Sequence, residues 1–255
     1  MTETFLALFT AHLVADFPLQ PAWMVRNKRH PAVLLLHVFL VAAIAFLVLG
    51  IFSLAAWGVA WQLLAVLIGT HFVMDAIKVY GLGDDLRAFA ADQIVHLLVM
   101  AALAFVFPQT LAQGFWGQLP ASELRGYLIG LCFLSGIIAA LPVGAILVRK
   151  VTAPFAEQLG EQIQGLRNGG TYIGYLERAL VLLLIMVGQP AGVGFLITAK
   201  SILRFGDVRD SAQRKLTEYI IIGTFLSFGW GLAVALLTQG AVGYLLHPAA
   251  PILSP

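Results

Sequence analysis

LAAWGVAWQLLAVLIGTHFVMDAI, residues 54–77, is the stretch of sequence that decides the fold. A helix needs about 20 apolar residues to cross the hydrocarbon core of a bilayer, so this stretch predicts a membrane-spanning helix. Near its end, His71 and Asp75 stand four residues apart, which places both side chains on one face of the helix. The stretch therefore combines a membrane span with a polar pair inside it.

The composition of the whole chain agrees with this interpretation. Of its 255 residues, 60% are hydrophobic and 11% are charged, whereas a soluble domain carries about 25% charged residues. The sequence predicts an all-α, polytopic transmembrane helical bundle. A net charge of +2 does not favour a nucleic-acid partner, and the single cysteine, Cys132, excludes an intramolecular disulfide. Met1-Thr2-Glu3 lacks the positive charge that begins a cleavable signal peptide.

The chain divides into about eight apolar segments. The sixth and seventh are short and are separated by Gly188-Gln189-Pro190, so they predict either two spans or one re-entrant hairpin beside six spans. We expect a four-helix half over 1–107, and a second half over 108–255 with an amphipathic interfacial helix at 154–167, together forming one membrane domain. The segments are at about 4–17, 31–52, 54–77, 93–107, 126–148, 172–187, 191–203 and 219–237.

Basic residues are distributed unevenly between the connecting segments. Fourteen of the 15 lysines and arginines follow the first, third, fifth or seventh segment, and only Arg125 falls on the opposite side. By the positive-inside rule, those connections are cytoplasmic and both termini lie on the outer side. A re-entrant hairpin over 172–203 leaves this orientation unchanged, because both of its ends remain cytoplasmic.

The His-Asp pair recurs on other segments. His12-x3-Asp16 ends the first segment, Asp92-x3-His96 begins the fourth in reverse order, and His37 lies early in the second. With the orientation above, these residues and the His71–Asp75 pair all fall within about two helical turns of the cytoplasmic interface. We therefore expect them to share one layer of the membrane.

Ionisable residues inside spans cost about 2.5–3.5 kcal/mol each and usually face a bundle interior or a wet cavity. Imidazole and carboxylate together suit zinc, manganese or iron, and seven ligands would suffice for two metal ions. A metal-activated water could then attack an ester or phosphoester at the membrane surface. The aspartates are also candidate catalytic groups. The candidate metal ligands are His12, Asp16, His37, His71, Asp75, Asp92 and His96.

Further polar residues lie near the same interface. Six of them are candidate contacts for a substrate, although a lysine there also commonly snorkels to lipid phosphate: Gln20, Lys28, Lys78, Gln93, Lys200 and Arg204. The C-terminal half carries a second polar set near the same interface, in which we expect ion pairs, most simply of Glu177 or Glu218 with Lys200 or Arg204, or else an anion-binding patch. The set consists of Glu177, Arg178, Lys200, Arg204, Glu218 and Tyr219. Helix caps or interfacial hydrogen bonds are the expected roles of His30, Asp84, Asp85 and His247.

Two other functions fit the same residues. The His and Asp side chains could form a proton or cation relay in a transporter or channel, or a structural polar network in a membrane scaffold. Transport is disfavoured because the polar residues cluster near one face, whereas the outer halves of the segments are almost entirely apolar.

The motifs together resemble a known bacterial membrane family, domain of unknown function 3307. The resemblance rests on His12-Leu-Val-Ala-Asp-Phe-Pro-Leu-Gln20 with Lys28, His37, His71-x3-Asp75-x2-Lys78 and Asp92-Gln-x2-His96. Ile173–Arg178, Ala199–Arg204 and Glu218–Ser227 are similar to that family's longer members.

The resemblance implies a multi-pass protein of the bacterial inner membrane, without an assigned activity. There is a looser similarity to inner-membrane metal-dependent hydrolases, which also carry His and Asp at helical spacing. Because the predicted site opens at headgroup level, the expected substrate is a lipid or a lipid-linked phosphate or ester. The chain has neither the His-Glu-x2-His of metalloproteases nor a Gly-x-Ser-x-Gly elbow.

Overall fold

The computed structural model describes residues 1–52, 57–159, 168–202 and 211–247. Within these ranges the regular structure is helical, with no β-strand, and the predicted all-α class is confirmed. The α-helices are α1 Thr2–Asp16, α2 Ala22–Asn27, α3 Pro31–Leu49, α4 Trp57–Ile77, α5 Leu86–Val106, α6 Thr110–Gln113, α7 Ala121–Ile138, α8 Gly144–Glu157, α9 Gly169–Met186, α10 Ala191–Ile202 and α11 Ser211–Leu246.

Six stretches of the described chain are long and apolar enough to cross a membrane. They are Pro31–Leu49, Ala60–Leu82, Leu86–Val106, Ala121–Glu157, Gly169–Met186 and Arg214–Leu246. The first and seventh predicted segments form shorter helices, α1 with 15 residues and α10 with 12. The polytopic membrane bundle predicted from the sequence is therefore confirmed. Gly188, with φ of 73°, lies at the predicted break between α9 and α10.

Two of the long helices pass through π-helical turns, in which the hydrogen bonds close one residue later than in an α-helix. α4 continues as the π-helical turn Lys78–Leu82, and Ala139–Val143, which contains Pro142, joins α7 to α8. The amphipathic helix predicted over 154–167 is described only in part. Its first four residues form the end of α8, and residues 160–167 lie outside the described ranges.

The chain forms two compact units. Of the described residues, the first contains those of Met1–Ser135 and 242–247, and the second contains those of Gly136–Ala241. In the first unit, α1 packs against α3 and α5, and α4 packs against the same two helices. The four helices thus form a closed ring in the order α1, α3, α4, α5. Its apolar interior includes Leu8, Leu49, Leu63, Met100 and Leu111.

One end of this ring is closed by aromatic side chains. The last carbonyl groups of a helix have no partner within the helix, and at the end of α3 two side chains supply the hydrogen bonds. Trp116 Nε1 donates to the Leu47 carbonyl at 2.8 Å, and Tyr127 Oη donates to the Val48 carbonyl at 2.6 Å. The backbone N–H of Phe115 donates to the Gly50 carbonyl at 2.7 Å. His37, the one polar residue of α3, lies toward its other end.

The second unit is built around Arg178, a residue of α9 that is only 2% exposed. Its guanidinium donates to the Ala140 carbonyl at 2.6 Å, the Leu141 carbonyl at 3.1 Å and Ser227 Oγ at 2.8 Å. Both carbonyls belong to the π-helical turn before α8. Arg178 therefore stabilises an irregular turn, whereas the sequence had grouped it with interfacial ion pairs.

The predicted pairing of Glu177 with Lys200 occurs in this unit. Glu218 pairs instead with Arg214, one turn earlier on its own helix. Arg204 lies outside the described residues.

Candidate metal centre

All seven candidate ligands meet at one end of the four-helix ring. His12 and Asp16 lie on the last turns of α1, and His71 and Asp75 lie on the last turns of α4. The other three come from the first turns of the antiparallel helices, His37 from α3 and Asp92 and His96 from α5. Because a four-residue spacing keeps each pair on one helix face, both members of each pair point into the ring.

The cluster is almost completely removed from solvent. His37, His71, Asp75 and Asp92 are each at most 1% exposed. His12 and His96 are 5% and 4% exposed, and the Asp16 side chain is 8% exposed. Burying an ionised carboxylate is costly unless a positive charge lies beside it. The three aspartates therefore need cations nearby.

Four ligand atoms from three helices lie close together around His37 and His71. His37 Nε2 lies 3.1 Å from His71 Nε2, 3.5 Å from Asp16 Oδ1 and 3.3 Å from Asp75 Oδ2. His71 Nε2 lies 3.6 Å from Asp16 Oδ1 and 3.5 Å from Asp75 Oδ2. Tetrahedral ligands about 2.0–2.1 Å from a zinc ion stand about 3.3–3.4 Å apart. The five separations are of about that size, and Asp16, His37 and His71 form one group that could hold a metal ion.

The remaining ligands continue the cluster toward α5. His96 Nε2 lies 3.3 Å from Asp92 Oδ1, and the His96 ring stacks on His71 with centroids 4.3 Å apart. His12 lies next to both rings, with centroids 5.0 Å from His96 and 5.9 Å from His71. Three ligand groups can be drawn in which the atoms lie within 4.8 Å of one another: His12–His71–His96, Asp16–His37–His71 and Asp75–Asp92–His96.

Two lysines neutralise two of the three carboxylates. Lys28 Nζ lies 2.7 Å from Asp75 Oδ2, and Lys78 Nζ lies 2.6 Å from Asp92 Oδ2. Lys28 is only 8% exposed. It therefore does not snorkel to lipid phosphate, which was the alternative role expected of a lysine at this interface. Asp16 differs from the other two aspartates. Within the described part of the chain, its ion-pair partners are the imidazoles of His12, His37 and His71.

Gln93 lies between Asp92 and His12 and contacts both side chains. The Gln93 amide donates to Asp92 Oδ2 at 3.0 Å, and its oxygen lies 3.3 Å from His12 Nε2. Because a carboxylate only accepts hydrogen bonds, this contact fixes which end of the Gln93 amide faces His12. A neutral His12 then donates from Nε2 and keeps a lone pair on Nδ1. That nitrogen lies 3.7 Å from Asp16 Oδ1, so two acceptors face each other.

Several buried polar atoms of the cluster have no hydrogen-bond partner in the described ranges. Asp16 Oδ1, Asp92 Oδ1 and His96 Nε2 are among them. An unsatisfied buried polar atom costs about 1–3 kcal/mol, and more when it is charged. These atoms belong to α1 and α5 and lie in the same buried cluster. A bound cation would supply the partner that they lack.

A small cavity lies on the apolar side of the histidines. Its volume is about 10 Å³, which is near the minimum for one water molecule. His12, His71 and His96 form its polar wall, and Thr70 lies beside them. The rest of its wall is apolar and includes Leu8, Val41, Leu67 and Met100.

Some features of the site were not predicted from the sequence. The π-helical turn Lys78–Leu82 directly follows α4 and carries the lysine that pairs with Asp92, and such turns are frequent at functional sites. Tyr80, on the same turn, donates to the Arg29 carbonyl at 2.9 Å. The predicted capping role of Asp85 is confirmed, because its carboxylate accepts from the Ala88 N–H at 2.7 Å.

The predicted substrate contacts that the structure describes lie in two different places. Gln20, Lys28, Lys78 and Gln93 line the cluster; the Gln20 amide nitrogen lies 3.1 Å from His37 Nδ1. Lys200 belongs to the second unit, where its partner is Glu177.

The fold and this cluster together define a helical membrane protein with a buried centre of imidazoles and carboxylates in its N-terminal unit. Residues 4–118 match the family described as Protein of unknown function (DUF3307). This confirms, for that part of the chain, the family that the motifs resemble, and the matched range contains all seven cluster residues. Comparisons with curated proteins and with solved structures found no match, and the looser similarity to membrane hydrolases has no support in them.

Proposed function

We propose that the protein is a membrane-embedded, metal-dependent hydrolase whose centre is the cluster of histidines and aspartates. The observation that carries the proposal is the spacing of Asp16, His37, His71 and Asp75, in which five separations between ligand atoms are 3.1–3.6 Å. Mixed nitrogen and oxygen ligands suit zinc, manganese or iron.

The neighbouring side chains support metal binding. A histidine ligand usually donates its second ring N–H to an oxygen atom, which orients the ring. Gln20 lies at His37 Nδ1 and can supply that oxygen, because rotating its amide by half a turn exchanges the oxygen and nitrogen. Asp75 Oδ2 has lone pairs for both Lys28 and a metal ion. A bound cation would also satisfy the unpaired Asp16 oxygen.

A divalent metal would act as a Lewis acid and activate a water molecule at neutral pH. Asp16, Asp75 and Asp92 are the candidate general acid–base groups of the chain. The ammonium groups of Lys28 and Lys78 provide two positive charges at the edge of the cluster. They would bind an anionic substrate group and would hold a phosphate or carboxylate oxygen next to the centre.

We propose that the substrate is a lipid or a lipid-linked phosphate or ester. The distribution of basic residues supports a site at the cytoplasmic face of a bacterial inner membrane, with both termini in the periplasm. A site at that depth meets lipid headgroups.

The test is elemental mass spectrometry of the protein purified in detergent, with Asp75→Asn and the exposed control Glu123→Gln. We expect at least one equivalent of zinc, manganese or iron in the parent and the control, and loss of it in Asp75→Asn. Hydrolysis of lipid phosphoesters should fall at least about 100-fold in the same variant. Absence of metal from the parent protein after supplementation with all three ions would exclude the proposal.

The two lysine–aspartate pairs favour a second candidate. They balance the charges of Asp75 and Asp92 without a metal ion, as a proton-coupled transporter would require. This candidate predicts a metal-free protein and proton flux across sealed vesicles that is lost in Asp75→Asn. A scaffold predicts neither metal nor flux, and substitutions in the cluster would change stability alone.

A further inference from the structure

The half of the cluster nearest α5 contains ligand atoms that one metal ion beside His37 and His71 would not use. Asp92 Oδ1 and His96 Nε2 lie 3.3 Å apart, the separation expected of two ligands on one ion. Both atoms are buried, and neither has a hydrogen-bond partner among the described residues. Lys78 and Gln93 engage the other oxygen of Asp92, so Oδ1 remains available.

Asp75 connects this half of the cluster to the half that contains His37 and His71. Its Oδ2 lies 3.3 Å from His37 Nε2 and 3.5 Å from His71 Nε2. The Asp75 carboxylate also lies within 4.8 Å of the ligand atoms of Asp92 and His96. A carboxylate has two oxygens with about four lone-pair sites, and a single carboxylate can therefore bind two metal ions at once.

We propose that the centre holds two divalent cations bridged by Asp75. Asp16, His37 and His71 complete the first site, and Asp92 and His96 contribute to the second, with positions left for water or substrate. This inference rests on the proposed metal centre and adds a second ion to it. Paired ions about 3.5–4 Å apart stabilise both the attacking and the leaving oxygen of a phosphoester, which makes phosphoesters rather than carboxylic esters the substrate class.

The charges are consistent with two ions. Three carboxylates and two ammonium groups leave the cluster with one net negative charge when the imidazoles are neutral. One divalent ion reverses that charge to +1, and two give +3. A phosphate group with a hydroxide, carrying about three negative charges together, would neutralise the larger value. The doubly loaded centre is therefore matched to an anionic substrate.

The experiment is a count of bound ions by elemental mass spectrometry after loading with Mn²⁺ alone and removal of free ion. We expect two equivalents in the parent, one in Asp92→Asn and in His96→Gln, one in Asp16→Asn, and none in Asp75→Asn. The matched controls are Glu123→Gln and His30→Gln, whose side chains are exposed; both should retain two equivalents. Circular dichroism and gel filtration identify any variant that does not fold.

Electron paramagnetic resonance of the Mn²⁺-loaded parent tests the bridge without any substitution. Two ions sharing a carboxylate should give an exchange-coupled spectrum, and Asp92→Asn should convert it to that of an isolated ion. A parent that saturates at one equivalent with an uncoupled spectrum would overturn the second site and leave the metal centre intact. Two equivalents retained in Asp92→Asn would also overturn it. No bound ion in any form, after loading with manganese, zinc and iron in turn, would reject the proposed function itself.

Discussion

At the scale of single residues, the two units use buried charge in different ways. In the first unit, buried Asp16 has only imidazoles as ion-pair partners in the described ranges, so its charge depends on what the imidazoles bind. In the second unit, the guanidinium of Arg178 is held by two carbonyls and a hydroxyl. Carbonyl oxygens stabilise a cation by dipole alone. The surroundings of Asp16 are thus open to change by a bound ion, whereas the hydrogen bonds of Arg178 stabilise the fold.

Arg178→Met should destabilise the protein without affecting metal content. Methionine fills much of the same volume but leaves the acceptors Ala140, Leu141 and Ser227 without their donor, at about 1–3 kcal/mol for each buried group. We expect a clear fall in the thermal unfolding midpoint in detergent. The control is Arg214→Met, because the Arg214 side chain is 80% exposed and pairs only within its own helix. Equal midpoints for the two variants would contradict this role of Arg178.

At the scale of elements, the ring of α1, α3, α4 and α5 depends on close backbone contact at its apolar end. Gly50 ends α3 with φ of 70°, a conformation that glycine adopts without strain. Gly114 approaches the last turn of α3, and a Cβ there would overlap the Leu49 carbonyl oxygen. The contact joins the loop after α5 to the end of α3. It therefore helps set how those two helices lie in the ring.

Gly114→Ala should loosen this end of the ring. Because the obstacle is a backbone atom, the chain has to shift, and we expect a cost of about 1–3 kcal/mol. The matched control is Gly69→Ala in α4, where a Cβ meets nothing within 4 Å. That change should be neutral or stabilising by up to about 1 kcal/mol. Thermal unfolding of both variants measures the difference, and a stabilising Gly114→Ala would show that the contact is not tight.

At the scale of the whole molecule, the candidate site lies at one end of its helices, where α1 and α4 end and α3 and α5 begin. The side of the membrane that this end faces determines which molecules reach the centre. The distribution of basic residues predicts the cytoplasmic side. Topology therefore decides whether the centre meets a substrate of the cytoplasmic leaflet or one of the periplasmic leaflet.

Cysteine labelling can test this orientation. Cys132 is the only cysteine and is buried, so a Cys132→Ala protein provides the background for Arg29→Cys and Arg125→Cys, both at exposed positions. A membrane-impermeant maleimide added to spheroplasts should label the second variant, and should label the first only after lysis. The reverse pattern would invert the predicted orientation. Labelling of both in intact spheroplasts would show that the two positions share the outer face.

The sequence by itself determined the membrane class, the helical fold and the level of the site within the bundle. Long apolar runs must form helices in lipid, since every backbone polar group needs a partner there. The four-residue spacing of His71 and Asp75 puts both on one helix face, and the chain reverses direction between successive spans. These local rules sufficed to predict that the seven candidate ligands share one layer.

Only the tertiary structure decided which of these residues meet. Contacts between helices depend on their order around the ring and on the rotation of each helix, and both are set by packing among residues distant in sequence. The close approach of His37 to His71, the position of Asp75 near both His71 and Asp92 and the Lys28–Asp75 pair all arise in this way. Arg178 was misassigned for the same reason, since its partners lie 37–49 residues away along the chain.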